Sequence, residues 1–248
     1  MISKNLSSST LSITLTCFSR CSICIWSDES ARWTDRHRQS FPLRPIRKVF
    51  LSDPTRLSYR DKMIENHPLK PFLPTNAKVL FLGSFPPPKK RWCMDFFYPN
   101  LINDHWRIEG AIWFNDKNHF VDLERKCFKM NEIIAFLNEK GIALYDTASA
   151  VNRLKDNASD AFLQIVEPTD INALLKQIPQ CKAIATTGEK ATIEVCNYFN
   201  IREIPSPNSN ILLKENLKLY RLPSSSRAYP LAFDKKVEAY RKMFEEIF

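Results

Sequence analysis

Four short segments gather the residues best suited to chemistry: GSFPPPKKRW (83–92), YDTASA (145–150), TTGEKA (186–191) and LPSSSRAYP (222–230). The first combines Gly83, which allows close backbone approach, with Ser84, Phe85 and three consecutive prolines that stiffen the turn, followed by Lys89, Lys90 and Arg91. A stiff loop ending in basic residues suits a phosphate backbone. It runs on into Asp95-Phe-Phe-Tyr-Pro-Asn-Leu-Ile-Asn-Asp-His-Trp106. Rings and amides in that block can stack on a base and hydrogen-bond to it; the competing reading is an aromatic core patch under solvated charges. In the last segment Pro223 precedes Ser224, Ser225, Ser226 and Arg227. Three small hydroxyl residues after a strand admit a phosphate to hydroxyl and backbone N–H donors, or simply form a turn.

Other motifs point to less. Cys17, Cys21 and Cys24 have a Cys-x3-Cys-x2-Cys spacing that can hold three irons of a four-iron cluster. Their flanks are Ser-rich, and the remaining chain is too short and wrongly patterned for the barrel such a cluster needs. Cys93, Cys127, Cys181 and Cys196 are scattered singly, as ordinary core or surface cysteines are. His105 and His119 invite a metal reading with Asp104 or Asp116, against which stands the commoner isolated surface histidine. A serine hydrolase built on Ser84 lacks the Gly-x-Ser-x-Gly elbow. No lysine stands out as a Schiff-base nucleophile.

The elements that must position these segments follow from the hydrophobic pattern. Short apolar runs, Lys78–Leu82, Ile142–Tyr145, Ala183–Thr186 and Leu217–Leu222, each end in turn chemistry and alternate with helical periods around 129–139, 169–177 and 189–199. A final helix, Phe233 to Ile247, puts Phe233, Val237, Tyr240, Met243, Phe244 and Ile247 along one face. The expected class is α/β, a three-layer α/β/α sandwich around a central, mostly parallel four-stranded sheet. Ligands of such sheets bind outside the carboxyl ends of the strands, where all four segments fall.

Composition sets the limits. The chain has 248 residues, of which 44% are hydrophobic and 25% charged, enough for one sizeable core. No apolar run approaches the roughly 20 residues of a spanning helix. Seven cysteines at irregular separations, without a clean signal-peptide core, argue against a secreted disulfide framework. The net charge of +9 is uneven: residues 1–62 carry 11 Lys and Arg against 5 Asp and Glu, while residues 63–248 carry 25 against 22. The first 62 residues also hold 12 serines and no glycine, and they do not read as a folded domain. They read as a transit segment, as a mistaken extension upstream of Met63, or as a basic arm for nucleic acid. A bacterial cytoplasmic protein follows if Met63 is the start, an organellar one if the segment is a transit peptide.

GSFP after the first strand, the FFYPNLINDHW block, LYDTASAVNR, TTGEKA and LPSSSRAY, in that order, resemble the uracil-DNA glycosylase superfamily, nearest its hypoxanthine-DNA (deoxyinosine) glycosylase branch. The resemblance covers about residues 76–246. It implies a monomeric, monofunctional DNA glycosylase of base-excision repair, without metal or cofactor, acting on DNA that contains a damaged or deaminated base, hypoxanthine or uracil. The family's catalytic asparagine, which orients water, matches Asn103, three residues before Trp106. The family's usual His-Pro-x-Asn reads here Tyr98-Pro99-Asn100, so Asn100 is a rival. The resemblance also implies a base site of Gly83, Ser84, Phe85, Phe97 and Asp146. Phe97 is the stacking ring, with Phe96 and Tyr98 as alternatives. Asp146 reads the base, or else caps a helix. Arg153 orients Asp146 or meets phosphate. DNA is gripped by Lys89, Lys90, Arg91, Ser224, Ser225, Ser226 and Arg227. A catalytically silent nucleic-acid-binding module on the same fold is the alternative function.

Overall fold

The computed structural model describes residues 64–154 and 160–248. The expectations for residues 1–62, including the Cys17, Cys21 and Cys24 motif, lie outside the described residues. In chain order the elements are β1 (Glu65–Asn66), β2 (Val79–Gly83), α1 (His105–Trp113), β3 (Val121–Asp122), β4 (Cys127–Phe128), α2 (Met130–Lys140), β5 (Ile142–Asp146) and β6 (Ala148–Arg153). They continue with β7 (Leu163–Pro168), α3 (Ile171–Gln177), β8 (Ala183–Thr187), α4 (Glu189–Tyr198), β9 (Ser209–Lys214), β10 (Leu217–Leu222) and α5 (Phe233–Ile247).

The central sheet has the order β5-β2-β8-β10-β9. Its first four strands are the four expected from the apolar runs, and all run parallel. The expected four-stranded sheet is corrected by β9, which pairs antiparallel with β10 and makes the sheet five-stranded and mixed. β9 escapes a search for apolar runs because it is an edge strand, half-buried on alternate residues only. β2 is buried at all five positions, which explains why it reads as an unbroken apolar run.

Alternation along the strands feeds two cores. Val79, Phe81, Leu144, Ala185 and Tyr220 face one side and pack with Trp106 and Ile108 of α1, Ile133 and Phe136 of α2, and Tyr240 and Phe244 of α5. Leu80, Leu82, Ile184 and Leu219 face the other and pack with Ile171 and Leu174 of α3 and Val195 of α4. The three-layer arrangement follows, and each fully buried Leu, Ile or Phe contributes roughly 1.5–3 kcal/mol to it. Three local details set the strand ends. The Asp170 side chain caps α3 by accepting from the Ala173 N–H at 3.0 Å. Gly141 ends α2 at φ 69°, a conformation that favours glycine. A second sheet, β1-β6-β7, antiparallel throughout, leaves the first where β5 runs almost directly into β6.

Candidate active site at the carboxyl edge of the sheet

The carboxyl ends of β2, β5, β8 and β10 open into a cavity of about 690 Å³. Of the residues expected at a site, it is lined by Gly83, Ser84, Phe85, Arg91, Phe97, Asn100, Asn103, Asp146, Ser224, Ser225, Ser226 and Arg227. Lys89 and Lys90 are not part of its lining; Lys89 pairs with Asp95 at 2.5 Å and lies over the Trp92 ring. Tyr98 and Thr187 also line the wall.

Asp146, at the end of β5, is buried. It caps no helix, because the chain passes straight into β6, which removes that reading of it. Its Oδ2 meets Nε2 of His67 at 2.9 Å, and its backbone carbonyl accepts from Thr169 Oγ1 at 2.7 Å. A Cβ at Gly83 would overlap Asp146 Oδ1, so glycine is required where β2 ends beside the carboxylate. His67 was not singled out by sequence. It follows β1, and its ring lies edge-on to Phe85 and tilted against Tyr145 and Phe97.

The GSFP loop is held from both sides. Ser84 Oγ donates to Asp160 Oδ1 at 2.6 Å. Arg153, its side chain only 6% exposed, pairs with Glu65 at 2.9 Å and donates to the Pro86 carbonyl at 3.0 Å. Arg153 is therefore built into the support of this loop.

The aromatic block divides by face. Phe96 packs into the core against Phe72 and Trp106. Phe97 and Tyr98 reach the cavity. Tyr98 adopts φ 49°, an uncommon conformation for a bulky residue, with its ring stacked on His105 at 3.7 Å and its hydroxyl 3.3 Å from Thr187 Oγ1. His105 is buried, contrary to the surface reading, and burial lowers its pKa to about 3. Burial raises the Glu109 carboxyl beside it to about 8. Among the described residues His105 Nδ1 and Glu109 Oε1 are buried without a hydrogen-bond partner. His119 stacks on Phe114.

Asn103 is tied down twice at the start of α1. Its backbone bridges to Ser226, and its Oδ1 accepts from the His105 N–H at 2.9 Å. That bond fixes which end of the amide is oxygen. Asn100 makes a longer Asx-type contact, Oδ1 accepting from the Ile102 N–H at 3.2 Å.

The serine turn after β10 is anchored by three hydrogen bonds, one from the start of α1 and two from α5. The Asp104 N–H donates to the Ser225 carbonyl at 2.9 Å, Lys236 Nζ of α5 to the Ser226 carbonyl at 2.7 Å, and Tyr240 Oη to the Pro223 carbonyl at 3.1 Å. Burial lowers the Lys236 pKa, opposed by the nearby Asp104 charge. Arg227 Nε donates to Asp104 Oδ1 at 2.8 Å, yet its side chain remains 48% exposed on the rim. Ser226 N–H and Ala228 N–H bond the hydroxyls of Ser224 and Ser226, which turns the loop onto itself.

Among the described residues no group of three or more His, Cys, Asp or Glu is placed to hold a metal ion, and no helix is long and apolar enough to cross a membrane. The four cysteines among them are free.

No family model matches the chain, and no curated protein matches it in sequence. Solved structures do match. One is the solution NMR structure of a protein from Methanosarcina acetivorans, provisionally described as a uracil DNA glycosylase. It is 23% identical, covers 75% of this chain and 99% of its own, and superposes with a TM-score of 0.52. That likeness defines the architecture: the chain has the α/β fold of this protein.

Proposed function

We propose that the protein is a DNA glycosylase that flips a deaminated base, hypoxanthine or uracil, out of DNA and hydrolyses its N-glycosidic bond. The observation that carries this reading is the convergence of Gly83, Phe97, Asn103, Asp146 and the 224–227 turn on one cavity. These residues come from the separated segments that resemble the glycosylase superfamily.

The chemistry fits the geometry. Flipping a nucleotide costs a few kcal/mol of unstacking, least where the base is mispaired. The serine turn and the GSFP loop, with Arg91 and Arg227 on the rim, grip the strand through backbone N–H groups, hydroxyls and guanidinium groups. Phe97 supplies the stacking face and Asp146 reads the base edge. As the bond lengthens, positive charge grows on the sugar and negative charge on the base, so a water must be held beside the sugar. Asn103 Oδ1 uses one lone pair on the His105 N–H, and the other accepts from that water. The two anchors of Asn103 favour it over Asn100 for this role. The protein acts as a monomer, by hydrolysis alone, without metal or cofactor.

The test uses duplexes bearing single uracil, hypoxanthine or mismatched thymine, scored as alkali-labile sites. Wild type and Asn100→Ala are expected to release one of these bases, and Asn103→Ala to lose about 100-fold or more in rate. DNA binding without release from any duplex would leave the silent binding module in its place.

A further inference from the structure

We propose that His67 is a positioning residue that fixes Asp146 as an acceptor-only carboxylate, and that the pair selects bases presenting a ring N–H over parent bases that present a lone pair there. This rests on the glycosylase reading above and specifies how its site tells a deaminated base from its parent.

The pair is built into the backbone. β5 delivers Asp146 and continues into β6; β1 pairs with β6 through Glu65 and Val151, and the His67 N–H then donates to the Ser149 carbonyl at 2.8 Å. The two side chains therefore come from strands that cannot shift independently. The His67 side chain is 3% exposed and that of Asp146 11%. Phe85, Phe97 and Tyr145 pack around the imidazole.

Hydrogen bonding at the far side of the ring bears on where the proton sits. Nδ1 lies 3.2 Å from the Leu69 nitrogen and 2.8 Å from the Leu69 carbonyl oxygen. If Nδ1 accepts from the Leu69 N–H, the ring proton is on Nε2. If Nδ1 donates to the Leu69 carbonyl, an ionised Asp146 facing Nε2 requires a second ring proton there, whereas a neutral ring would place the shared proton on Asp146. With Asp146 ionised, both arrangements have Nε2–H donating to Asp146 Oδ2 at 2.9 Å. Oδ1 is left against Gly83, where only the absence of a Cβ makes room for it, with the carboxylate on the cavity wall.

An ionised carboxylate only accepts hydrogen bonds. Hypoxanthine and uracil carry an N–H at the ring position where adenine and cytosine carry a lone pair. The first two complete the carboxylate's hydrogen bonding, and the last two set lone pair against lone pair at a desolvated site. Discrimination therefore includes a repulsive element against adenine and cytosine, the parents of the two deaminated bases.

Two measurements on the full chain test this. In the first, nitrogen-detected NMR of the histidine imidazoles should show His67 Nε2 protonated, with that signal shifted in Asp146→Asn. An unprotonated Nε2 would mean that Asp146 holds the proton and donates, which overturns the proposal. In the second, Asn103→Ala serves as the binding form, and affinities are compared for duplexes with deoxyinosine against deoxynebularine, which lacks the N–H and the carbonyl. A parallel arm sets deoxyuridine against 3-deazadeoxyuridine, which has C–H in place of the N–H, and shows which ring system the cavity takes. In the accepted ring system the N–H base should bind about 10- to 100-fold tighter. Adding His67→Leu should remove most of that ratio, and His67→Gln, whose amide can donate to Asp146, should restore part of it. A merely structural role would weaken both members of a pair alike and leave the ratio unchanged, which overturns the proposal. Base release by wild type without any such ratio also overturns it while the glycosylase reading stands. A clear ratio without base release from any duplex would support the recognition role and sink the glycosylase reading instead.

Discussion

His105 and Glu109 sit one helical turn apart, both buried, and burial drives their pKa values in opposite directions, to about 3 and about 8. The consequences for stability have opposite signs. Glu109 binds its proton more tightly folded than unfolded, so its contribution is full below about 4.5 and fades as pH rises through about 8. His105 does the reverse: its contribution is full above about 6.5 and fades as pH falls toward about 3. Between about 4.5 and 6.5 the two slopes oppose each other, which leaves a net loss from about pH 6.5 to 8. Glu109→Gln should therefore gain stability relative to wild type by on the order of 1–2 kcal/mol between pH 6 and pH 8, read from urea unfolding at each pH. An unchanged difference would refute the neutral buried carboxyl. Residues of this kind also mark how far the sequence is legible. Asp146 announces itself by ending an apolar run before turn residues. His67 does not, because its partner lies 79 positions away and nothing local distinguishes it from any loop histidine.

Lys236 shows how one helix governs a loop it does not belong to. With 2% of its surface exposed, it reaches from α5 to the Ser226 carbonyl. Lys236→Met keeps the aliphatic stem and removes the charged donor, leaving the Ser226 carbonyl only the Tyr229 N–H at 3.1 Å. The expected cost is about 1–3 kcal/mol in thermal or chemical unfolding, with weaker binding to damaged and undamaged DNA alike. Normal stability with normal binding would show that the anchor is dispensable. α5 itself is plain in the sequence through its apolar stripe, although Lys236, buried beside that stripe, is not. α1 was hidden. Its buried positions include His105, Glu109 and Gly110, so a pattern of apolar spacing reads its inner face as solvent-facing. The two-residue strands β1, β3 and β4 are too short to carry any period.

Across the whole molecule, the slight positive excess of residues 63–248 means that DNA affinity has to come from local placement, with Arg91 and Arg227 at the cavity. Affinity should fall as salt rises, and Arg91→Ala should reduce the slope of log K against log salt by about 1, equally for damaged and undamaged duplexes. A slope unaltered in this variant would remove Arg91 from the phosphate contacts. The sheet order also bears on how the chain is made. β2 lies between β5 and β8, so the first long strand among the described residues to leave the ribosome is an inner one, and its neighbours begin at Ile142 and Ala183. At roughly 5–20 residues per second, Val79–Gly83 waits on the order of ten seconds with both edges open. Nascent chains arrested before Ile142 should then be cut by protease near β2 and bound by chaperones, whereas chains extended through β10 should resist both. Biosynthesis, more than the finished fold, is where this protein is most exposed to aggregation.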